Sequence, residues 1–200
     1  MKIRSFVAIE LPSTTQEEII WRTTRLRELH PYPVIRWVKL GNIHLTLKFL
    51  GDITEKELAI LANLIASEAA GEEPFSFSFS NLGIFPNIKR PRIIWIGIES
   101  PIRLIEFQRK IEDLTTNLGI PIDNKPFSPH ITLGRFGKSN LMLNPGNLFT
   151  ELDSTIVNSI DTVKITAIKI FQSDLRPDGP VYSVIHNIPL GTTNNQRGKT

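Results

Sequence analysis

The hydrophobic and polar positions of this 200-residue chain follow a two-residue period in some stretches and a helical period in others. This mixture predicts strands interspersed with a few helices, and therefore an α+β fold. Strands are predicted at 3–9, 43–50, 75–79, 92–98, 130–135, 162–171 and 181–187. Helices are predicted at 13–29, 54–71 and 101–118, where apolar residues recur on one helical face.

Capping residues and glycines mark several ends of these elements. Thr54 and Glu57 have the spacing of a capping box, and Ser13 is the candidate cap of the first helix. Gly51 is expected to end the second strand, and Gly119 to end the third helix.

One short pattern occurs twice, as His44-Leu45-Thr46-Leu47 and His130-Ile131-Thr132-Leu133, and uses two of the four histidines in the chain. Residues i and i+2 of a strand share one face, so each copy places an imidazole beside a hydroxyl. The apolar residues between them can pack into a core. The two copies together therefore favour acid–base chemistry on a phosphate, although a lone histidine on a strand is usually structural.

The 86-residue separation of the two copies is consistent with two similar lobes that each give one motif strand to a shared cleft. We expect a single bilobal domain over 1–190 and a disordered polar tail at 191–200. The weakly patterned stretch 137–160 is expected to be a loop with a short helix.

Composition narrows the setting of the protein. There are no cysteines, the amino-terminal segment lacks the apolar run of a signal peptide, and no window approaches the roughly 18 apolar residues of a membrane span. We therefore expect a cytoplasmic protein without a membrane partner. The net charge of +3 permits an anionic partner such as RNA, but an ordinary solvated surface would have it too.

The chain resembles the two-histidine phosphoesterases, and among them the RNA 2′,3′-cyclic phosphodiesterases, also described as 2′-5′ RNA ligase-like proteins. The paired His-x-Thr-x motifs are the defining signature. Further landmarks follow the family's order over about 3–188: 4–9, 37–44, 92–97, 126–130, 171–173 and 179–182. The resemblance implies a bilobal fold, with two pseudo-symmetric lobes of antiparallel sheet, helices outside and a central cleft.

The resemblance also implies a reaction and roles for the motif residues. RNA ends with a 2′,3′-cyclic phosphate would be hydrolysed to 2′-phosphates without cofactor, and the reverse reaction would be 2′-5′ ligation. His44 would be the proton donor, His130 the proton acceptor, and Thr46 and Thr132 would bind the phosphate oxygens. The sequence alone does not tell which histidine is acid and which is base. We expect no metal, since neither motif has a second histidine, cysteine or carboxylate at ligand spacing. We also expect a monomer.

Four other residues are weaker candidates for substrate contact. Arg135 follows the second motif, but its odd offset from His130 predicts the opposite face of a regular strand. Lys48 should share the face of His44, although a solvated lysine is the more ordinary interpretation. Phe127 and Tyr182 could stack on a base, while core packing is favoured for Phe127.

Two alternatives remain at this stage. The same chemistry could act on small cyclic nucleotides or on 2′-5′ oligonucleotides. Alternatively, the chain could be a non-catalytic module that binds RNA ends, although binding alone does not require two titratable imidazoles.

Overall fold

The computed structural model describes residues 2–99, 101–137, 160–177 and 179–191. The helices are α1 (Ser13–Arg22), α2 (Thr24–Leu29), α3 (Glu55–Ala70) and α4 (Ile102–Asn117). The strands are β1 (Lys2–Glu10), β2 (Ile35–Trp37), β3 (His44–Thr54), β4 (Phe75–Phe85), β5 (Ile93–Glu99), β6 (His130–Phe136), β7 (Val163–Ile165), β8 (Ala167–Arg176) and β9 (Gly179–Pro189). The predictions for 138–159 and 192–200 lie outside the described residues.

The strands form an antiparallel sheet in the order β7-β4-β5-β6-β3-β1-β8-β9, and β2 pairs with β6 beside this path. The two motif strands, β3 and β6, are neighbours at the centre. Each has three further strands on its outer side, so the sheet divides into two similar halves that meet at the motifs. This arrangement confirms the expected bilobal α+β fold.

One face of the motif strands supplies the core. Leu45, Leu47, Ile131 and Leu133 are at most 2% exposed and belong to one apolar cluster. Helices α3 and α4 contribute their apolar faces to the same cluster, including Leu61, Ile65, Phe107 and Ile111. The opposite face of the motif strands is thereby left for the histidines and threonines.

The capping box at the start of α3 is confirmed. The Glu57 backbone N–H donates to Thr54 Oγ1 at 3.3 Å, and the Thr54 backbone N–H donates to Glu57 Oε2 at 3.0 Å. The predicted cap at Ser13 is wrong, because α1 begins at Ser13 after Pro12 and has no side-chain cap. A single helix over 13–29 is also wrong: it is divided at Thr23, whose buried hydroxyl donates to the Ile19 carbonyl at 2.7 Å.

Strand β3 does not end at Gly51 as expected but continues to Thr54. The register with β1 shifts here, because Ser5 lies opposite Gly51 and Phe6 lies opposite Phe49, which leaves one extra residue in β3. Gly51 has φ +68, a conformation that glycine adopts without strain. The glycine therefore accommodates a β-bulge within the strand.

Candidate active site

The two motif strands pair antiparallel with Leu45 opposite Ile131. Their histidines and threonines all line one cavity of about 1080 Å³. The shared-cleft arrangement expected from the two motifs is thus present in the structure. His30 and His186 do not line this cavity.

Each motif imidazole is oriented by the backbone two residues before it. His44 Nδ1 lies 2.8 Å from the Asn42 carbonyl oxygen, and His130 Nδ1 lies 2.7 Å from the Ser128 carbonyl oxygen. A carbonyl can only accept, so Nδ1 carries the hydrogen in both rings. Each Nε2 is then left to exchange a proton with a molecule in the cleft.

Aromatic side chains surround the ring of His44. Its centroid is 4.9 Å from that of Phe6 and 5.2 Å from that of Tyr182 in an edge-on contact. Burial lowers the pKa of His44 to about 4, and the positive charge of Arg135 acts in the same direction, although the Asn42 hydrogen bond and Glu10 oppose the change. His44 is therefore neutral at neutral pH in the free protein.

His130 has a corresponding aromatic neighbourhood in the other half. Its ring centroid is 5.0 Å from that of Phe85 and 6.2 Å from that of Trp95, and these two rings stack on each other at 4.8 Å. Gly83 makes room for the indole, because a Cβ there would come within 2.2 Å of Trp95. Each histidine is thus supported by an aromatic residue of the adjacent strand, Phe6 of β1 for His44 and Trp95 of β5 for His130.

A β-bulge in β6 determines where Arg135 points. Trp95 pairs with Thr132 and Ile94 pairs with Gly134, so Leu133 is an extra residue in the strand. The shift returns Arg135 to the face of His130 and Thr132, and Arg135 lines the cavity. The prediction that Arg135 faces away from His130 is therefore wrong.

A matching bulge in β3 has the reverse effect on Lys48. Thr46 pairs with Ala8 and Lys48 pairs with the core residue Val7, so Leu47 is the extra residue. Lys48 is 1% exposed, and both its expected orientation and its interpretation as a solvated lysine are wrong.

The Lys48 ammonium is held by three oxygen acceptors. It is 2.5 Å from Glu112 Oε1, 2.8 Å from the Pro121 carbonyl oxygen and 3.2 Å from Asp123 Oδ2. Although Lys48 borders the cavity, its three hydrogens can all be used in these contacts. We therefore assign it to the support of the site rather than to substrate contact.

The remaining predicted residues also line the cavity. The hydroxyls of Thr46 and Thr132 make no hydrogen bond to other residues in the part of the chain that the structure describes, and both residues border the cleft. Phe127 packs against the core while it lines the cavity, and Tyr182 borders the cavity beside His44.

Several residues that border the cleft were not identified from sequence. Phe49 is 60% exposed and occupies the place in β3 that Arg135 occupies in β6, five residues after the motif histidine. Asn42 supports His44 through its carbonyl and also donates from its side chain to the Pro180 carbonyl at 2.9 Å, which ties the β8–β9 hairpin to the cleft. Phe49 and Arg135 each follow their motif histidine by five residues, and this equal spacing is the signal in the sequence from which Phe49 could have been identified.

Within the described ranges, no group of three or more His, Asp or Glu side chains is placed to hold a metal ion, and metal independence stays a prediction. No helix in these ranges has the length and apolarity needed to cross a membrane.

A family model described as LigT like Phosphoesterase matches the chain twice, over residues 9–95 and 96–182. His44 lies 35 residues after the start of the first match, and His130 lies 34 residues after the start of the second. The two matches therefore place the motifs at almost the same position in each half of the chain. The sheet has the same symmetry, because β3 and β6 are the innermost strands of its two halves.

Curated relatives match over most of the chain. The RNA 2′,3′-cyclic phosphodiesterase of Methanocaldococcus jannaschii is 31% identical over 92% of this chain and 98% of its own. That of Methanothermobacter thermautotrophicus is 28% identical over 92% and 96%. That of Escherichia coli is 34% identical over 71% and 77%.

Solved structures with the same fold include E. coli LigT complexed with 3′-AMP, with a TM-score of 0.74 and 26% identity over 95% of this chain and 99% of the other. TT0787 of Thermus thermophilus has a TM-score of 0.75 and 26% identity over 94% and 98%.

Proposed function

The chain belongs to the LigT-like phosphoesterase family, and we propose that it hydrolyses the 2′,3′-cyclic phosphate at the end of an RNA strand to a 2′-phosphate. Membership confirms the resemblance drawn from the two motifs. The observation that carries the proposal is the convergence of two imidazoles, each with Nδ1 fixed and Nε2 available, on one cavity. The relatives that span nearly the whole chain bear the name of this activity.

In the proposed reaction, His130 is the base and His44 is the acid. His130 Nε2 takes a proton from water as the water oxygen attacks phosphorus. The bond from phosphorus to O3′ breaks, and O3′ takes a proton from His44 Nε2. The two histidines then return to their initial states by exchange with solvent.

His44 must acquire its proton when substrate binds, since it is neutral in the free protein near pH 7. A cyclic phosphodiester carries a negative charge, and a negative charge beside an imidazole favours the imidazolium. The same charge would offset the positive charge of Arg135, which lowers the pKa of His44 in the free protein. Binding of the substrate therefore favours the protonated form of His44, which the reaction requires as its acid.

Thr46, Thr132 and Arg135 are proposed to bind the non-bridging oxygens of the reacting phosphate. Charge accumulates on these oxygens in the transition state, so donors already directed at them lower the barrier. Both hydroxyls border the cleft without a hydrogen-bond partner among the described residues, and Arg135 adds a guanidinium on the same face. Tyr182 and Phe127 provide apolar walls against which a nucleoside can pack.

Reverse 2′-5′ ligation would use the same two histidines. A 5′-hydroxyl would replace water as the nucleophile, and His130 would deprotonate it as before. Only the occupant of the nucleophile position differs between hydrolysis and ligation, so water in large excess should favour hydrolysis.

An end-group assay tests the proposal. A 5′-labelled oligoribonucleotide that ends in a 2′,3′-cyclic phosphate is incubated with the protein in EDTA, and the position of the product phosphate is determined by ³¹P NMR. We expect a 2′-phosphate product. A 3′-phosphate product, or turnover that requires a divalent ion, contradicts the mechanism.

The two alternatives are separated by parallel substrates. Faster turnover of free cyclic nucleotides or of 2′-5′-linked oligonucleotides would assign the chain to those substrates instead. Tight binding of RNA ends without any turnover would identify a binding module.

A further inference from the structure

Two arginines lie opposite each other on the cleft face of β2 and β6. Arg36 pairs with Arg135 in the antiparallel register, and both residues line the cavity. Their neighbours in the strands confirm the orientation, because Ile35 is fully buried in the core on the other face. Arg36 therefore extends the positive surface of the site by one strand beyond Arg135.

This arrangement is unfavourable for the free protein. Like charges directly opposite each other destabilise a sheet pair. Neither arginine forms an ion pair with a carboxylate among the described residues. An anion bound here would remove the repulsion and complete the hydrogen bonding of both guanidinium groups.

An exposed aromatic ring accompanies Arg36. Its guanidinium carbon lies 6.0 Å from the centre of the Tyr32 ring, which is 71% exposed. A guanidinium beside an accessible phenol ring is a surface suited to a nucleotide, since the ring can stack on a base while the arginine binds phosphate. Neither residue was needed for the reaction itself.

The position of Arg36 is held firmly by short-range contacts. The Val38 backbone N–H donates to the Leu133 carbonyl at 2.7 Å, and Trp37 Nε1 donates to the His30 carbonyl at 2.9 Å. On the other side of Arg36, the Gly137 backbone N–H donates to the Val34 carbonyl at 2.9 Å. These bonds attach the chain before and after Arg36 to the rest of the lobe, including the bulge of the second motif strand. Arg36 is therefore preformed on β2, and Tyr32 lies four residues before it, in the turn that leads into the strand.

We propose that Arg36 and Tyr32 form a subsite for the nucleotide immediately 5′ to the cyclic phosphate end. Arg36 binds the internucleotide phosphodiester, and Tyr32 stacks on the upstream base. The inference rests on the proposed function for its substrate. It adds that the protein selects the end of an RNA strand over a free cyclic nucleotide.

The test compares Arg36→Gln with the matched control Arg25→Gln, which removes the same charge from an exposed position on α2 outside the cavity. Three substrates are used: a dinucleotide that ends in a 2′,3′-cyclic phosphate, the same dinucleotide with a neutral methylphosphonate linkage, and the nucleoside 2′,3′-cyclic monophosphate. We expect Arg36→Gln to lower kcat/KM about tenfold on the first substrate only, through KM. Arg25→Gln should change none of them by as much as twofold.

An equal loss on all three substrates would mean that Arg36 contacts the reacting phosphate or is needed for folding. An equal effect of the two variants would mean that only the net positive charge of the protein matters. Either result overturns the proposal.

A binding arm separates this inference from the proposed reaction. Fluorescence anisotropy measures the affinity for a labelled oligoribonucleotide that ends in a 2′-phosphate, over a range of salt concentrations. Arg36→Gln should weaken binding and reduce the salt slope by about 0.7, the value for one phosphate contact on a single strand. An unchanged slope would overturn the subsite, whether or not the protein turns over cyclic phosphates.

Discussion

Leu45 lies directly opposite Ile131 at the centre of the sheet. Residues directly opposite each other in an antiparallel pair share a face, and the residues on either side of them share the other face. This register therefore places Thr132 opposite His44 and His130 opposite Thr46, in a diagonal arrangement of like groups. Two motifs 86 residues apart thus meet in one site beside this pair of core residues.

Replacement of either motif histidine should remove turnover while binding persists. We expect His44→Ala and His130→Ala each to lower kcat by about 10²–10⁴, and to change RNA affinity only a few-fold, because phosphate and base contacts remain. His186→Ala is the control, since this half-buried histidine lies on β9 outside the cavity. A variant that loses affinity in proportion to rate would contradict an acid–base role.

Loss of a motif hydroxyl should act on the transition state. Thr46→Val and Thr132→Val keep the shape of the side chain and remove one donor each. We expect kcat to fall by about 10²–10³ with little change in KM, because the hydroxyls bind most strongly to the charge that develops during attack. A rise in KM at unchanged kcat would instead indicate a contact with the ground state.

The charge of Arg135 should matter for catalysis and for the state of His44. Arg135→Gln should lower kcat/KM by at least tenfold through the lost charge-assisted hydrogen bond. Because Arg135 lowers the pKa of His44, the same variant should raise that pKa in the free protein, as measured by NMR titration. Arg92→Gln removes an exposed charge outside the cavity and should alter neither quantity.

Much of this site could be predicted from the sequence, because the two-residue period of a strand was sufficient to tell which motif residues share a face. His44 and Thr46, and likewise His130 and Thr132, are two residues apart in continuous strand, so they share a face as expected. The period fails one residue later in each motif, where Leu47 and Leu133 are extra residues in their strands. No glycine or proline marks the bulge at Leu47, and Gly134, which follows the extra residue Leu133, was not interpreted as the mark of one. The faces of Lys48 and Arg135 were therefore wrongly predicted.

The elements beyond the motifs show a similar limit. The capping box at Thr54 was identified because its chemistry is local, whereas the three-residue strand β2 exists only through its pairing with β6. Strand pairing depends on residues distant in sequence, so a window of local periodicity does not detect it. The environment of Lys48 was missed for the same reason, since Glu112 lies 64 residues away.

Loss of the Lys48 charge should destabilise the whole fold. Lys48→Met leaves Glu112 and Asp123 without their partner, and removal of one member of a buried pair typically costs about 3–5 kcal/mol. Lys110→Met is the control, because Lys110 is about half exposed, and its bridges to Glu68 and Glu72 should contribute less than about 1 kcal/mol. Urea denaturation measures both.

A second variant distinguishes the Lys48 ion pair from packing. Glu112 also accepts a hydrogen bond from Gln108 and one from the Asp123 backbone, so Lys48→Met combined with Glu112→Gln removes the stranded charge while some of these bonds persist. The double variant should be more stable than Lys48→Met alone. Equal or lower stability would assign the loss to packing of the aliphatic stem.

The depressed pKa of His44 should make the folded protein sensitive to mild acid. The pKa is about 4 in the folded state and about 6.5 in an unfolded chain. The unfolded state therefore binds the proton first as pH falls, and the free energy of unfolding decreases between about pH 6.5 and 4. The contribution of this one group is at most about 3 kcal/mol.

His44→Gln isolates this contribution, because glutamine does not titrate and can still donate to the Asn42 carbonyl. Urea denaturation of both proteins at pH 7.5 and pH 4.5 gives the difference in pH dependence, in which the other titrating groups cancel. We expect the parent protein to lose more stability than the variant over this interval. A phosphate or nucleotide ligand should reduce this loss, because its negative charge stabilises the imidazolium. Identical pH dependence in the two proteins would contradict a neutral His44 in the free protein, and with it the proposal that substrate binding protonates this residue.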